Sequence, residues 1–107
     1  MVIKKSDIAR PVRRSEVMQV DELKGEVVIQ QMTLEMYLSM LKYGSTHDNT
    51  APMSMVLAAC VLDADGTPVF DEQEWEAWAP ANLKIVFELY ARIKKLSGVD
   101  LDDAVKN

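Results

Sequence analysis

The chain has 107 residues and a mass of 12.0 kDa, the size of one domain, which excludes two-domain enzymes. With 49% hydrophobic and 27% charged residues it reads as an ordinary globular chain able to bury a single modest core. Its net charge of −5 is unevenly spread: residues 1–17 hold five basic side chains (Lys4, Lys5, Arg10, Arg13, Arg14) against Asp7 and Glu16, a balance of +3, leaving −8 for the rest. No Lys or Arg falls between Lys42 and Lys84, where Asp48, Asp63, Asp65, Asp71, Glu72, Glu74 and Glu76 lie, and such a body repels phosphates, so nucleic acid is not an expected partner. The single cysteine, Cys60, cannot form an internal disulfide and fits a reducing compartment. Met1-Val2-Ile3-Lys4-Lys5 leads into polar residues, so no secretory signal is expected. The longest unbroken apolar run, Met55 to Leu62, has eight residues, where a membrane span needs about 20.

In chain order, residues 1–16 read as a flexible basic arm and residues 17–107 as a single mainly helical domain. Val17 to Val20 and Val27 to Ile29 favour strands, with Gly25 between them as the residue suited to positive φ, and predict a β-hairpin. Two strands alone are marginal, so the hairpin must lie on helices or on another chain's edge. Thr33 is the expected N-cap of a helix with the apolar stripe Leu34, Tyr37, Leu38 and Leu41, widened by Met36 and Met40 and stopped at Gly44. After a polar loop over 45–49, Thr50 can cap a second helix with Pro52 in its first turn. That segment is apolar from Met53 through Leu62 except for Ser54, so it is expected at the centre, buried on all sides. Asp63-Ala64-Asp65-Gly66 makes a turn and Val69-Phe70 returns to the core. Asp71 and Glu74 form an Asp variant of a capping box for a helix from Glu72 to Trp78, with Phe70 stapled onto Trp75. Ala79-Pro80 breaks it and starts the longest helix, Ala81 to Ser97, with core stripe Leu83, Val86, Phe87, Tyr90 and Ile93 and Gly98 as its stop. A short final helix from Asp100, with Asp103 at its third position, is also expected. The fold class is therefore mainly α (α+β): four to five helices around a central apolar helix, with an N-terminal β-hairpin.

Chemistry is poorly supplied. His47 and Cys60 are the only residues of their kinds; Cys60 in an apolar helix reads as packing, and two such residues cannot make a zinc site. No Gly-x-Ser-x-Gly elbow or phosphate-cradling glycine loop occurs. Aligning Gly66 with the turn glycine of a calcium loop places Asp63, Asp65 and Glu72 at ligand positions, but the first position falls on Val61, so a polar turn is the better reading. Glu72 and Glu76 are i,i+4 neighbours, the spacing of a solvated helix face. No catalytic residue, metal or cofactor is expected. Trp75 and Trp78 read first as packing onto the long helix and the methionines as core filling; the sharper candidates for partner binding are Trp75 and Trp78 as an aromatic anchor ringed by acids, Met36 and Met40 beside the main stripe of the first helix, and Arg10, Arg13 and Arg14 on the arm.

The order of parts is more telling than any one motif. A basic leader precedes a valine-rich hairpin around Gly25, then Met32-Thr33 enters a helix. An apolar helix follows, ending Val61-Leu62-Asp63-Ala64-Asp65-Gly66-Thr67-Pro68-Val69-Phe70-Asp71, then Leu83 to Leu96 and a short acidic end. Over roughly residues 17–98 this resembles the tail assembly chaperones of long-tailed, siphovirus-type bacteriophages. The resemblance implies a non-enzymatic factor of the host cytoplasm, absent from the mature virion. Such a factor coats the tape measure protein, helps recruit major tail protein subunits to it, and self-associates. It also implies co-assembly with a longer form made by programmed frameshift, this chain ending at Lys106-Asn107 being the short form. The family supplies no catalytic residues.

On this reading the first two helices, with Trp75 and Trp78, offer a shallow apolar groove to amphipathic client helices within an acidic rim. The hairpin edge, or the arm on a neighbour's acidic middle, joins subunits. The alternative is a small phage or plasmid DNA-binding or regulatory protein that uses the arm. A calcium- or carboxylate-based enzyme comes last.

Overall fold

Alternating inward and outward residues bring the hairpin together. The computed structural model describes residues 2–8, 13–44 and 51–98; the expected polar loop, the Thr50 cap, Arg10, His47 and the helix from Asp100 lie outside them. Strand β1 (Ser15–Val20) pairs antiparallel with β2 (Gly25–Gln30), with Glu16 opposite Ile29 and Met18 opposite Val27 on the inner face. The connection is a 3-10 turn over Asp21–Leu23, and the left-handed residue is Lys24, at φ 61° and ψ 36°, not Gly25, which already opens β2. β1 begins at Ser15, and before it the backbone of Arg14 accepts from Gln31 N–H at 2.9 Å, so the ladder extends into the segment read as an arm.

Helix α1 (Leu34–Gly44) starts where Thr33 Oγ1 accepts from the Met36 N–H at 3.1 Å. Helix α2 (Ala51–Cys60) is apolar but not buried throughout, since Ala59 is exposed and Met53, Met55 and Ala58 are only half-buried. It also ends sooner than the apolar run: Val61–Leu62 forms β3, antiparallel to β2 with Val28 opposite Leu62 and Ile29 opposite Val61. The sheet thus has three strands in the order β1-β2-β3. The chain then doubles back on itself. Asp63 Oδ1 accepts from the N–H groups of Asp65 (2.8 Å) and Thr67 (3.0 Å), Gly66 takes φ 82°, and Val69 N–H reaches Val61 O at 3.1 Å. Asp63 is thereby committed to its own turn.

Helix α3 (Glu72–Trp78) has the expected capping box, with Glu74 N–H donating to Asp71 Oδ1 at 2.8 Å and Asp71 N–H to Glu74 Oε1 at 3.1 Å. A 3-10 turn at Ala79–Ala81 leads to α4 (Leu83–Leu96), which Gly98 closes at φ 73°. Ser97 Oγ accepts from Met32 N–H at 2.8 Å and donates to Ile93 O at 2.7 Å, tying the end of α4 to the end of β2.

α2 and α4 lie on β2, while α1 and α3 pack on α2, which makes α2 the hub. Val20, Val27, Ile29, Val56, Leu57, Val86, Leu89 and Ile93 interlock between these layers. The mainly α, α+β architecture with a hairpin ahead of the helices is thus the one the chain adopts. No described helix is long and apolar enough to cross a membrane.

Candidate functional site

Two helices carry more apolar surface than the core uses. At 100° per residue the apolar side chains of α1 and α4 each span an arc of roughly 200°, about twice the stripe a core-facing helix needs. In α1 the core takes Met40, 9% exposed, with Met36 and Tyr37 half-buried beside it. The expected stripe faces outward instead: Leu34 is 73% exposed, Leu38 55% and Leu41 45%. Met36 and Met40 therefore pack on the core rather than face a partner, Met40 buried and Met36 half-buried. Their sulfurs turn inward, Met36 Sδ lying 3.9 Å from Cys60 Sγ and Met40 Sδ accepting from the Tyr90 hydroxyl at 3.0 Å. Leu34 and Leu38 line a shallow depression whose polar edge is Glu35, Ser39 and Lys42.

α4 is rotated in the same sense. Ile85, Val86, Leu89 and Ile93 are buried, while Leu83 and Phe87, expected in the core, stand about half exposed. They form one wall of a groove of about 330 Å³, with Met53 and Leu57 of α2 and Trp75 of α3 along its other sides and Glu76 at its edge. The sequence signal for both surfaces was the excess arc width rather than the spacing, because either half of such an arc satisfies the three-and-four rule.

The tryptophans divide. Trp75 is fully buried, so it anchors the fold rather than a partner; its ring meets Phe70 at 5.0 Å and Trp78 at 5.6 Å between centroids, both edge to face at 83°. Phe70 thus forms the expected staple, at the position before the cap. The Trp75 indole N–H is the one buried side-chain polar atom without a hydrogen-bond partner among the described residues. Trp78 is half-buried, tilted on Phe70 at 5.8 Å, and its carbonyl accepts from Asn82 Nδ2 at 3.1 Å.

Arg13 and Arg14 are exposed: the Arg13 guanidinium is engaged, Nη2 donating to Gln31 O at 2.7 Å, while Arg14 donates its backbone N–H to Gln31 Oε1 at 2.7 Å. Nearby, Arg92 of α4 pairs with Glu16 of β1 at 2.9 Å. Burial pushes the Cys60 thiol up to about 11, against a smaller downward pull from Arg13. That is the wrong direction for a nucleophile. No three His, Cys, Asp or Glu side chains among the described residues converge as a metal site. What the described surface offers chemically is apolar contact, edged by Glu76 at the α4 groove and by Glu35, Ser39 and Lys42 on α1.

No family model matches the sequence, and no curated protein matches it. Among solved structures, the fold is similar to the tail assembly chaperone of bacteriophage HK97, with a TM-score of 0.61 at 21% identity, covering 78% of this chain and 85% of that one. The structural likeness agrees with the resemblance drawn from the order of elements.

Proposed function

We propose that this chain is a tail assembly chaperone of a long-tailed bacteriophage, a non-enzymatic factor that binds the tape measure protein and helps bring major tail protein subunits to it. The observation that carries the reading is the pair of surplus apolar faces, on α1 and α4, in a fold similar to that of the HK97 chaperone. A monomeric domain has little reason to leave Leu34, Leu38 and Leu41 in one exposed row. An amphipathic client helix laid along α1 would cover them with its own i, i+3, i+4 anchors. The acidic body would bias the choice toward clients with basic flanks and away from nucleic acid. The same reading places the protein in the host cytoplasm and outside the finished virion, working with further copies of itself and with a longer frameshifted form.

Co-expression with the tape measure protein of the same phage tests it. The tape measure protein should be recovered soluble and co-purify with the wild-type chain, and a Leu34→Glu, Leu38→Glu double variant with unchanged circular dichroism should lose it. Equal recovery with the folded double variant would remove α1 as the client surface. Failure of the wild type to bind any tape measure segment would remove the function.

A further inference from the structure

We propose that the open edge of β1 takes up an extended segment of another protein as a fourth strand, a segment with an aliphatic centre and an acidic end. The contact uses no residue of α1 and so stands apart from the client reading. In the order β1-β2-β3 the first strand has a neighbour on one side alone. Gln31 N–H donates to Arg14 O directly opposite, and the pairing alternates from there. Arg14, Glu16, Met18 and Val20 therefore turn their backbone groups toward β2, while Ser15, Val17 and Gln19 hold theirs out on the open side. Among the described residues nothing else takes them. Strand edges are commonly blunted by lysine, proline or an inward charge. Ser15–Val20 has no Lys or Pro, and its inward charge, Glu16, is neutralised by Arg92 at 2.9 Å.

The two faces of the edge specify the occupant. On the outer face Leu62, Val28 and Val17 stand opposite one another across the three strands, 8% exposed, half-buried and 62% exposed in turn. The row stops at the open edge, where an aliphatic residue placed beside Val17 would continue it. On the inner face two adjoining depressions, of about 220 and 460 Å³, run between β1 and α4. Arg14, Arg92 and Lys95 bound the first, and Arg14 and Lys95 have no ion partner among the described residues. They are a local excess of positive charge on a chain whose net charge is −5. The far end of the edge has the opposite sign, with Asp21, Glu22 and Glu88 around Lys84. An acidic group is thus favoured at the Ser15 end alone, a condition that a nucleic acid, charged at every step, does not meet. A second copy does not meet it either, since the one acid on the inner face of its β1 is Glu16, already held by Arg92.

Nuclear magnetic resonance on the labelled full chain, titrated with a short valine-rich synthetic peptide carrying glutamates at one end, tests the proposal. The amide signals of Ser15, Val17 and Gln19 should move, and their hydrogen exchange should slow at least tenfold at saturation. The same peptide with lysines in place of the glutamates should bind at least tenfold more weakly at low salt. Val17→Pro removes an outward donor but no bond to β2, and with circular dichroism unchanged it should weaken binding at least tenfold. If that variant unfolds, Arg14→Glu with Lys95→Glu decides: both side chains are exposed, and the double variant should prefer the lysine peptide. No binding, equal binding of the two peptides, binding indifferent to a folded Val17→Pro, or a preference unmoved by the charge reversal overturns the proposal. So does protection of the Val17 amide that is present without peptide and lost on dilution, which would give the edge to a second copy. Displacement of the peptide by duplex DNA overturns it as well, giving the cations to a nucleic acid.

Discussion

The orientation of α1 can be decided by exchanging one residue from each of its two apolar halves for glutamine. Met40 is 9% exposed and its sulfur accepts the Tyr90 hydroxyl. Met40→Gln gives up about 1.5–3 kcal/mol of apolar burial, and the poorly paired amide in the core adds about 1–3 kcal/mol. Partial relaxation brings the total to about 3–5 kcal/mol, a large share of the roughly 5–15 kcal/mol that holds a domain together. Leu38 is 55% exposed, so less than half of a leucine's burial is at stake, and Leu and Gln are near-equal helix formers; Leu38→Gln should cost under about 1 kcal/mol. Urea unfolding followed by far-ultraviolet circular dichroism reads both. With a slope of about 1–3 kcal/mol per molar urea, the midpoint should fall by more than about 1 M for Met40→Gln and, at the same slope, by less than about a third as much for Leu38→Gln. If Leu38→Gln proved the more damaging, the leucine row would be the core face, and with it the argument for a client surface on α1 would fall.

Three further outcomes follow from local geometry. Ser97→Ala removes the acceptor that Met32 N–H uses at 2.8 Å and should lower stability by about 1–2 kcal/mol, with faster hydrogen exchange at Met32. Lys24→Gly relieves a left-handed backbone at φ 61° and should raise stability by up to about 1 kcal/mol in thermal unfolding, since glycine keeps the backbone N–H bond to Asp21 O that closes the turn. The Cys60 thiol is held near 11 in the folded chain against an ordinary value of 9.0, so its contribution to stability is complete below pH 9 and drains away as pH rises through 11. Correspondingly, a thiol reagent at pH 9 should label the native chain at least tenfold more slowly than the urea-unfolded one, and equal rates would contradict the burial.

The parts of the fold legible in the letters are those settled within a few residues. Asp71, Glu74, Phe70 and Trp75 fix both the start of α3 and its docking, because a capping box and a staple need only their own neighbours. The hairpin and the Thr33 and Gly98 helix ends are local in the same way. The end of α2 was not: Cys60 and Val61 look alike in an apolar run, and what turns Val61 and Leu62 into strand is their pairing with Ile29 and Val28 some thirty positions back. Turn geometry misled at Gly25, since the 3-10 turn places the positive φ one residue earlier, on Lys24. The candidate surfaces were half legible. The sequence points to α1 and α2 with the tryptophans and takes Leu83 and Phe87 of α4 for core, because arcs as wide as those of α1 and α4 leave their rotation to be chosen by tertiary contacts, and both turn the less obvious half inward.

The underside of α1 has a mechanical consequence. This helix rests chiefly on α2, and beside Tyr37 its inward contacts include two thioethers, half-buried Met36 against the Cys60 sulfur and buried Met40 beneath the Tyr90 hydroxyl. Unbranched thioether chains change rotamer at little cost and fill gaps of uneven shape. A helix seated on them can tilt or shift by a fraction of an ångström without opening a void, so the outer leucines behave as a compliant plate rather than a rigid template. Under the proposed function, stretches of a client helix unequal in bulk would be accommodated by a small shift of α1 on these side chains rather than by distortion of the client.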